Sequence, residues 1–335
     1  MSVYFRPVAR FDHVRPDGAL PLAGGWCWFD TAERIGRDGT SALVPARELP
    51  EAVRARLTTP RAAIAGLSFD APRLMGILNV TPDSFSDGGR HFDPSDALTH
   101  ARAMERDGAE IIDVGGESTR PGAAEVAVED EIARTAPVIA ALRAASDVPI
   151  SIDTRKAAVA RAAHAAGATM VNDVAGLGFD PALAPFCAEA GLPVCIMHAQ
   201  GTPDIMQKDP RYDHVALDVY DYLAERIEAL GRQGIPRERI VVDPGIGFGK
   251  TMAHNLTLLR MLSLFHGLGC PVLLGASRKR FIGEIGGTAE AGARMPGSVA
   301  VALAGVAQGV QMLRVHDVDA TRAALALWRA ATLEG

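Results

Sequence analysis

The chain has 335 residues, of which 48% are hydrophobic, and carries a formal net charge of −6 at pH 7. It can therefore bury a large core, and its acidic balance argues against nucleic acid or an anionic membrane surface as a main partner. No apolar run reaches the ~20 residues of a membrane span, and the first residues lack the apolar stretch of a secretory signal. Cys27, Cys187, Cys195 and Cys270 are scattered without a CxxC pair, which favours free thiols in a reducing compartment. We therefore expect a cytoplasmic protein.

The first 68 residues do not share the rhythm of the rest of the chain. They contain Trp26 and Trp28, a strand-like run at Ser41–Val44 and one plausible helix from Glu48 to Leu57. Such an aromatic patch is more typical of a core or docking surface than of a ligand cage. We predict an N-terminal extension over residues 1–68, without an assigned role, and one domain over residues 69–335. The extension is either a small appended module or a cap across the floor of that domain.

From Leu74 onward, eight short runs rich in Val, Ile and Leu alternate with helical patterns. The predicted strands are Leu74–Asn79, Glu110–Val114, Ile150–Asp153, Met170–Asp173, Val194–Met197, Ile240–Asp243, Val272–Gly275 and Met312–Val315. The predicted helices are Ser95–Asp107, Val128–Ala145, Lys156–Ala166, Pro181–Ala190, His214–Gln233, His254–Leu264, Pro296–Gln308 and Asp319–Ala331. Strands that alternate with helices over about 250 residues predict an α/β fold, a single (β/α)8 TIM barrel, whose active site lies where the strands end.

Acids and an amide end three of these strands among apolar neighbours. Asp153, Asn172 and Asp243 would be largely shielded from solvent there, and buried carboxylates need partners. Either acid alone could merely cap a following turn. Together, two acids and an amide would satisfy a ligand with several N–H donors, such as the edge of a guanidine-like heterocycle.

Cations follow the last two predicted strands. The segment Ser277–Arg280 follows the seventh strand, and Arg314 and His316 flank the end of the eighth. Barrels of this class commonly hold phosphate at that place, so we predict an anion site there. His198 follows the fifth strand and is predicted to be a hydrogen-bonded residue behind the site.

Two long loops follow the first two strands, at residues 79–89 and 115–122. Long glycine-rich connections in a compact domain are usually functional or disordered, and these would suit a closing lid. The sequence contains no HExxH motif, no His/Cys cluster and no carboxylate pair at ligand spacing. Asn79 is a neutral oxygen ligand at best, which would fit Mg²⁺ held mainly by waters and substrate phosphates.

Taken together, these motifs resemble those of a known enzyme family. From about Arg73 to the C-terminus, roughly four fifths of the chain resembles the dihydropteroate synthase family, the folate-pathway enzymes targeted by sulfonamides. The matching segments are Met75–Gly89, Asp113–Gly122, Ser151–Thr154, Val171–Asp173, Met197–Gly201, Asp243–Lys250, Ser277–Gly283 and Arg314–Asp317. Ala276 and Ile246 depart slightly from the family pattern, and neither has an assigned role.

The resemblance implies a transferase that joins 6-hydroxymethyl-7,8-dihydropterin diphosphate to 4-aminobenzoate, giving 7,8-dihydropteroate and diphosphate with Mg²⁺. It implies a homodimer through the late barrel helices. The implied residues are Asp153, Asn172, Asp243 and Lys279 for the pterin, Asn79, Arg314 and His316 for the diphosphate and its magnesium, and Thr119, Arg120, Pro121, Phe248, Ser277 and Lys279 for the aminobenzoate. Of these, Asp153, Lys279, Arg314 and His316 would act in the chemical step, with Asp153 facing a pterin cation that the arylamine attacks.

Three other interpretations remain open. A methyltransferase that uses methyltetrahydrofolate would share the barrel and the acids, but it would not need the segment Thr119–Pro121 or the cations after the last two strands. A catalytically silent paralogue that binds pterin should have lost parts of the loops or cations, and both are complete here. An aldolase-type barrel would want a Schiff-base lysine inside the barrel, and no predicted strand contains one.

Overall fold

A computed structural model describes residues 3–81, 94–118, 125–201 and 209–333 of the chain. The N-terminal part is built from five short strands and one helix. They are β1 (Val3–Pro7), β2 (Leu20–Pro21), β3 (Trp28–Phe29), β4 (Thr31–Gly36), β5 (Ser41–Pro45) and α1 (Glu51–Thr58). Strands β1, β4 and β5 form an antiparallel sheet with β4 in the middle, and β2 pairs with β3.

The remainder alternates strands and helices. Its elements are β6 (Arg73–Asn79), α2 (Pro94–Arg106), β7 (Ile111–Gly115), α3 (Val128–Ala145), β8 (Ile150–Asp153), α4 (Ala157–Ala166), β9 (Met170–Asp173), α5 (Leu183–Glu189), β10 (Val194–Met197), α6 (Val215–Arg232), β11 (Ile240–Asp243), α7 (Met252–Arg260), β12 (Leu273–Leu274), α8 (Arg280–Gly286), α9 (Met295–Val306), β13 (Met312–Val315) and α10 (Val318–Thr332). None of the helices in the described ranges is long and apolar enough to cross a bilayer.

The eight strands β6 to β13 form one parallel sheet that curls into a nearly closed ring. Neighbours along the chain are neighbours in the sheet, and β13 pairs with both β6 and β12. A single parallel bridge between Val242 and Val272 joins the two ends. This architecture confirms the predicted single (β/α)8 barrel.

The N-terminal part contacts the barrel from outside and from below. The Trp26 indole donates a hydrogen bond of 2.9 Å to Val306 O on α9, and the Phe11 ring lies 5.1 Å from that of Trp328 on α10. Ile64 and Phe69 pack against the lowest layer of side chains inside the barrel. The segment after α1 therefore covers the barrel floor, while the three-stranded sheet lies beside the barrel wall. The division at residue 68 stays a prediction.

The structure corrects several predicted boundaries. The first helix begins at Glu51 rather than Glu48, because Pro50 disfavours a helical conformation at the residue before it. The predicted helix His254–Leu264 ends at Arg260, and a 3-10 helix follows over Leu262–Leu268. Helix α8, with only seven residues, lies in what the sequence indicated as a loop. Seven residues are too few to show a helical period against the surrounding glycines.

Candidate active site

The register between neighbouring barrel strands brings polar side chains to one level at the carboxyl ends of the strands. Asn79 pairs with Gly115, Gly115 with Asp153, and Asp153 with Asn172. A Cβ atom on Gly115 would lie 3.5 Å from the Cβ of Asp153 and 3.7 Å from Oδ1 of Asn79. The glycine therefore keeps open the space between these two side chains.

Arg314 bridges two buried acids at this level. Its Nε donates to Oδ2 of Asp113 at 2.6 Å, and its second guanidinium nitrogen donates to Oδ2 of Asp153 at 2.8 Å. Asp113 also accepts a bond of 3.0 Å from Nδ2 of Asn172. Its other oxygen, Oδ1, is buried and has no hydrogen-bond partner within the described ranges. A ligand that donates an N–H at this point would satisfy that oxygen.

The same burial changes the titration of the acids. Desolvation raises the pKa of Asp153 to about 7; the nearby Arg314 opposes this rise and the charge of Asp113 adds to it. Burial also raises the pKa of Asp243, although Lys279 and the backbone N–H of Gly245 stabilise its charged form. The Gly245 N–H donates to Asp243 Oδ1 at 2.7 Å. The charge of Asp153 is therefore sensitive to pH near neutrality.

Lys279 lies on the other side of the pocket, on the loop after β12. Its Nζ donates to the carbonyl of Ile246 and lies 4.5 Å from the centre of the Phe248 ring. Burial lowers the pKa of Lys279 to about 8, against the attraction of Asp243. The lysine is therefore held between an aromatic face and a carbonyl, beside an acid.

Two adjacent residues after β12 pair with two adjacent residues after β13. Ser277 Oγ lies 3.1 Å from Nδ1 of His316 and accepts the backbone N–H of the same residue at 3.2 Å. Arg278 forms two bonds to the Asp317 carboxylate, with Nε to Oδ2 at 3.0 Å. The charge of Arg278 is thus already balanced by Asp317.

The four-residue cation segment does not act as one cluster. Arg280 lies on α8, is highly exposed and pairs with Glu284 one turn later. Lys279 is the member of Ser277–Arg280 that lies beside Asp243 and Phe248. The neighbours Thr119, Arg120 and Pro121, together with most of the first long loop, lie outside the described residues.

Two features of the site were missed from the sequence. Asp113 has a clear signal, since it is a lone acid within the apolar run Ile111–Val114, and the argument used for Asp153 applies equally to it. The second feature is the contact of Lys250 Nζ with Nδ1 of His198, at 3.0 Å. These residues are 52 positions apart, and no spacing rule joins them.

No group of three or more His, Cys, Asp or Glu side chains in the described ranges is arranged to hold a metal ion. Asn79 offers one neutral oxygen at the end of β6, where it is half-buried. A hard cation that takes most of its ligands from water and phosphate fits such a donor, whereas a closed metal cage does not.

Comparison with known proteins identifies the family. Residues 75–316 match the model of the pterin binding enzyme family. Dihydropteroate synthase of Escherichia coli strain K12 is 48% identical over 257 residues, which cover 76% of this chain and 90% of the relative. A solved structure of Xanthomonas albilineans dihydropteroate synthase with 4-aminobenzoic acid superposes with a TM-score of 0.76 and 47% identity, over 81% of this chain and 98% of the other.

A second structure of the Xanthomonas albilineans enzyme, in complex with 7,8-dihydropteroate, superposes with a TM-score of 0.74 and 45% identity. It too covers 81% of this chain and 98% of the other. The region that matches the family model, residues 75–316, contains all but the first two residues of the barrel sheet and the cluster around Arg314, and this chain spans nearly the full length of these relatives. The chain therefore belongs to the pterin-binding enzymes and, among them, to the dihydropteroate synthases.

Proposed function

We propose that the barrel mouth condenses 6-hydroxymethyl-7,8-dihydropterin diphosphate with 4-aminobenzoate, giving 7,8-dihydropteroate and diphosphate. The observation that carries this is the cluster of Asp113, Asp153 and Asn172 around Arg314, in a chain of this family. Its carboxylates accept planar N–H groups from a guanidinium, and the edge of a pterin ring presents N–H groups of the same kind.

The pterin lies among Asp113, Asp153 and Asn172 on one side and Asp243 and Lys279 on the other. Asp113 Oδ1, which has no partner among the described residues, accepts one pterin N–H. Buried acceptors of this kind reject ligands that lack the matching donor, since the acceptor would then stay unpaired. The cluster therefore supplies specificity for the heterocycle as well as affinity.

The diphosphate points towards the barrel mouth, where Asn79 at the end of β6 and Arg314 and His316 at the end of β13 would bind it. Asn79 would hold a Mg²⁺ ion together with waters and phosphate oxygens, and the ion would supply positive charge to the diphosphate. His316 is kept in place through both its backbone N–H and its ring by Ser277. Ser277 thereby supports the diphosphate site in addition to its predicted place beside the aminobenzoate.

The aminobenzoate enters against Phe248 and Lys279, together with the segment Thr119–Pro121. Loss of diphosphate leaves positive charge on the pterin methylene, and ionised Asp153 stabilises that cation. The amine nitrogen attacks the methylene, the C–N bond replaces the C–O bond, and the proton that the amine loses passes to the released diphosphate; no covalent enzyme intermediate forms. Residues that surround the pocket exclude water, which would otherwise consume the cation.

A homodimer through α9 and α10 completes the proposal. Helix α9 contains no charged residue between Met295 and Val306. It nevertheless reaches the surface of the protomer, where the alanines at 300 and 304 are exposed. On α10 the Leu327 side chain is 73% exposed. A helix that is apolar on every side is normally buried, so a second copy of this surface is a suitable cover.

All four cysteines are buried and unpaired, which fits a reducing cytoplasm.

Diphosphate release from the purified protein tests the proposal. The protein is given the pterin diphosphate and Mg²⁺, with and without 4-aminobenzoate. Release that requires aminobenzoate, with dihydropteroate formed in equal amount, is the expected result. Tight pterin binding without aminobenzoate-dependent release would instead identify a silent pterin-binding paralogue.

A further inference from the structure

Lys250 ends the glycine-rich loop that follows β11, and its side chain is only 3% exposed. Its Nζ donates to Phe248 O at 2.9 Å and to His198 O at 3.2 Å, and it lies 3.0 Å from Nδ1 of His198. Three acceptors match the three N–H groups of an ammonium. Burial lowers the pKa of Lys250, and a neutral amine could still donate to the two carbonyls while its lone pair accepted from the imidazole, so the bonds to Phe248 O and His198 O form in either protonation state.

The His198 imidazole is neutral. Burial, followed by the charge of Lys250, lowers its pKa to about 3, and the ring tautomer sets whether Nδ1 donates to or accepts from Lys250 Nζ. The His198 ring stands edge-on to Tyr222, with centres 4.9 Å apart, and lies 5.9 Å from Tyr212. The lysine is therefore bound to a side chain that is itself fixed by two aromatic neighbours.

The loop that Lys250 holds has no helix or strand of its own, and it lies directly against the segment after β10. At Gly245, where φ is +71°, a Cβ atom would lie 1.9 Å from His198 O. At Gly249, where φ is +62°, a Cβ atom would lie 2.5 Å from Gln200 O. Only glycine permits this approach, and Lys250 joins the two segments where they are closest.

The loop carries two groups that face the pocket. Ile246 O accepts the bond from Lys279, and the Phe248 ring lies 4.5 Å from Lys279 Nζ. Lys250 binds the backbone carbonyl of Phe248 itself, so this hydrogen bond sets the position from which the ring extends. The side chain of Lys250 ends in the contact with His198, and its charge also acts on Asp243.

We propose that Lys250 is a positioning residue for the second substrate, since it holds the backbone of Phe248 so that the ring forms one wall of the arylamine pocket. The inference rests on the proposed function, in which Phe248 and Lys279 shape that pocket. Lys250 acts through Phe248, so its loss weakens aminobenzoate binding. The pterin cluster around Arg314 lies on other strands and keeps its contacts.

The test is steady-state kinetics of Lys250→Met, which keeps most of the length of the side chain and removes its N–H donors. We expect the KM for 4-aminobenzoate to rise about tenfold, the scale on which a displaced positioning group acts. The kcat and the KM for the pterin diphosphate should change little. Phe248→Ala should raise the same KM, and the double variant should be no worse than Phe248→Ala alone, because both changes remove one wall.

Loss of stability is separated from loss of position by two further variants. Phe69→Leu, at the barrel floor, destabilises the core and should leave the KM for aminobenzoate unchanged. Tyr212→Phe removes a 2.7 Å bond to the neighbouring carbonyl of Gly249 and should give a smaller rise in the same KM. If Lys250→Met does not fold, the KM measured with Tyr212→Phe decides the matter.

Equal changes in the KM of both substrates, or additive effects of Lys250→Met and Phe248→Ala, would overturn the inference. An unchanged KM in Tyr212→Phe, where that variant must decide, would do the same. A different failure is recognisable: if Phe248→Ala leaves the KM for aminobenzoate unchanged, the proposed placement of that substrate is wrong, independently of Lys250.

Discussion

Replacement of Asp153 by asparagine tests whether its charge faces a cation that forms on the pterin. Asparagine has nearly the same shape and can still accept a bond from Arg314, so the main change is the lost charge. Removal of one preorganised electrostatic group from a buried site typically slows the chemical step by about 10²–10³, or roughly 3–4 kcal/mol. We expect a fall of that size in kcat, with weaker binding of the pterin diphosphate as a smaller effect.

The same variant should also change how the free energy of unfolding depends on pH. Burial raises the pKa of Asp153 from its ordinary value of 3.8 to about 7, and each unit is worth about 1.4 kcal/mol. Between those pH values the unfolded chain has lost the proton that the folded chain keeps. The wild-type protein therefore loses stability as the pH rises from about 4 to about 7, and the loss is complete above the folded pKa. Asparagine removes this dependence, which amounts to roughly 3 kcal/mol between pH 5 and pH 8.

Two assays measure these effects: aminobenzoate-dependent diphosphate release, and urea unfolding at pH 5 and pH 8. Asp147→Asn is the matched control, because Asp147 is exposed and lies beyond the opposite end of β8. It should change neither result. Near-normal turnover by Asp153→Asn would refute the proposed role of the charge. An unfolding free energy that depends on pH as in the wild type would show that Asp153 is not held in the protonated form.

Three further outcomes are expected. Since burial lowers the pKa of Lys279 to about 8, activity should fall above that pH, and Lys279→Arg, which keeps its charge, should move the alkaline limb of the pH–rate profile upward. Asp113→Asn should weaken binding of the pterin diphosphate, measured by calorimetry, by about 10- to 100-fold, since a buried charged acceptor is lost. Leu327→Glu should shift a dimer to monomers in sedimentation, whereas Leu43→Glu, equally exposed on the N-terminal sheet at 70%, should not.

Most of the barrel could be predicted because its buried strands are apolar runs that end abruptly in polar residues. Five strands have the predicted bounds, namely Ile150–Asp153, Met170–Asp173, Val194–Met197, Ile240–Asp243 and Met312–Val315. The N-terminal sheet could not be predicted in the same way. In its strand β4 (Thr31–Gly36) only Ala32 and Ile35 are buried, three positions apart, and the charged residues at 33 and 34 lie between them, so the sequence shows no simple alternation. Only pairing with β1 and β5 makes that pattern recognisable.

The sequence showed which ionisable residues follow the strands, but it did not show which residues they pair with. The residues of Ser277–Arg280 looked like one cationic group, yet Arg278 pairs with Asp317 and Arg280 with Glu284. These pairings depend on the backbone path after β12, including the positive φ of +58° at Arg278. A left-handed residue that is not glycine has no sequence signal, so the direction of each side chain could not be inferred.

The pairing of Arg314 indicates how the pocket divides its charge. Arg314 lies between Asp113 and Asp153, so the three groups together are negative whenever Asp153 is ionised. His316 follows β13, on the side where the diphosphate is proposed to leave, whereas Lys279 lies beside the pterin and the aminobenzoate. A pterin cation would therefore form beside net negative charge, and the diphosphate would leave towards Asn79 and His316. Since charges act strongly in a buried site, this separation favours breaking the C–O bond before the amine attacks.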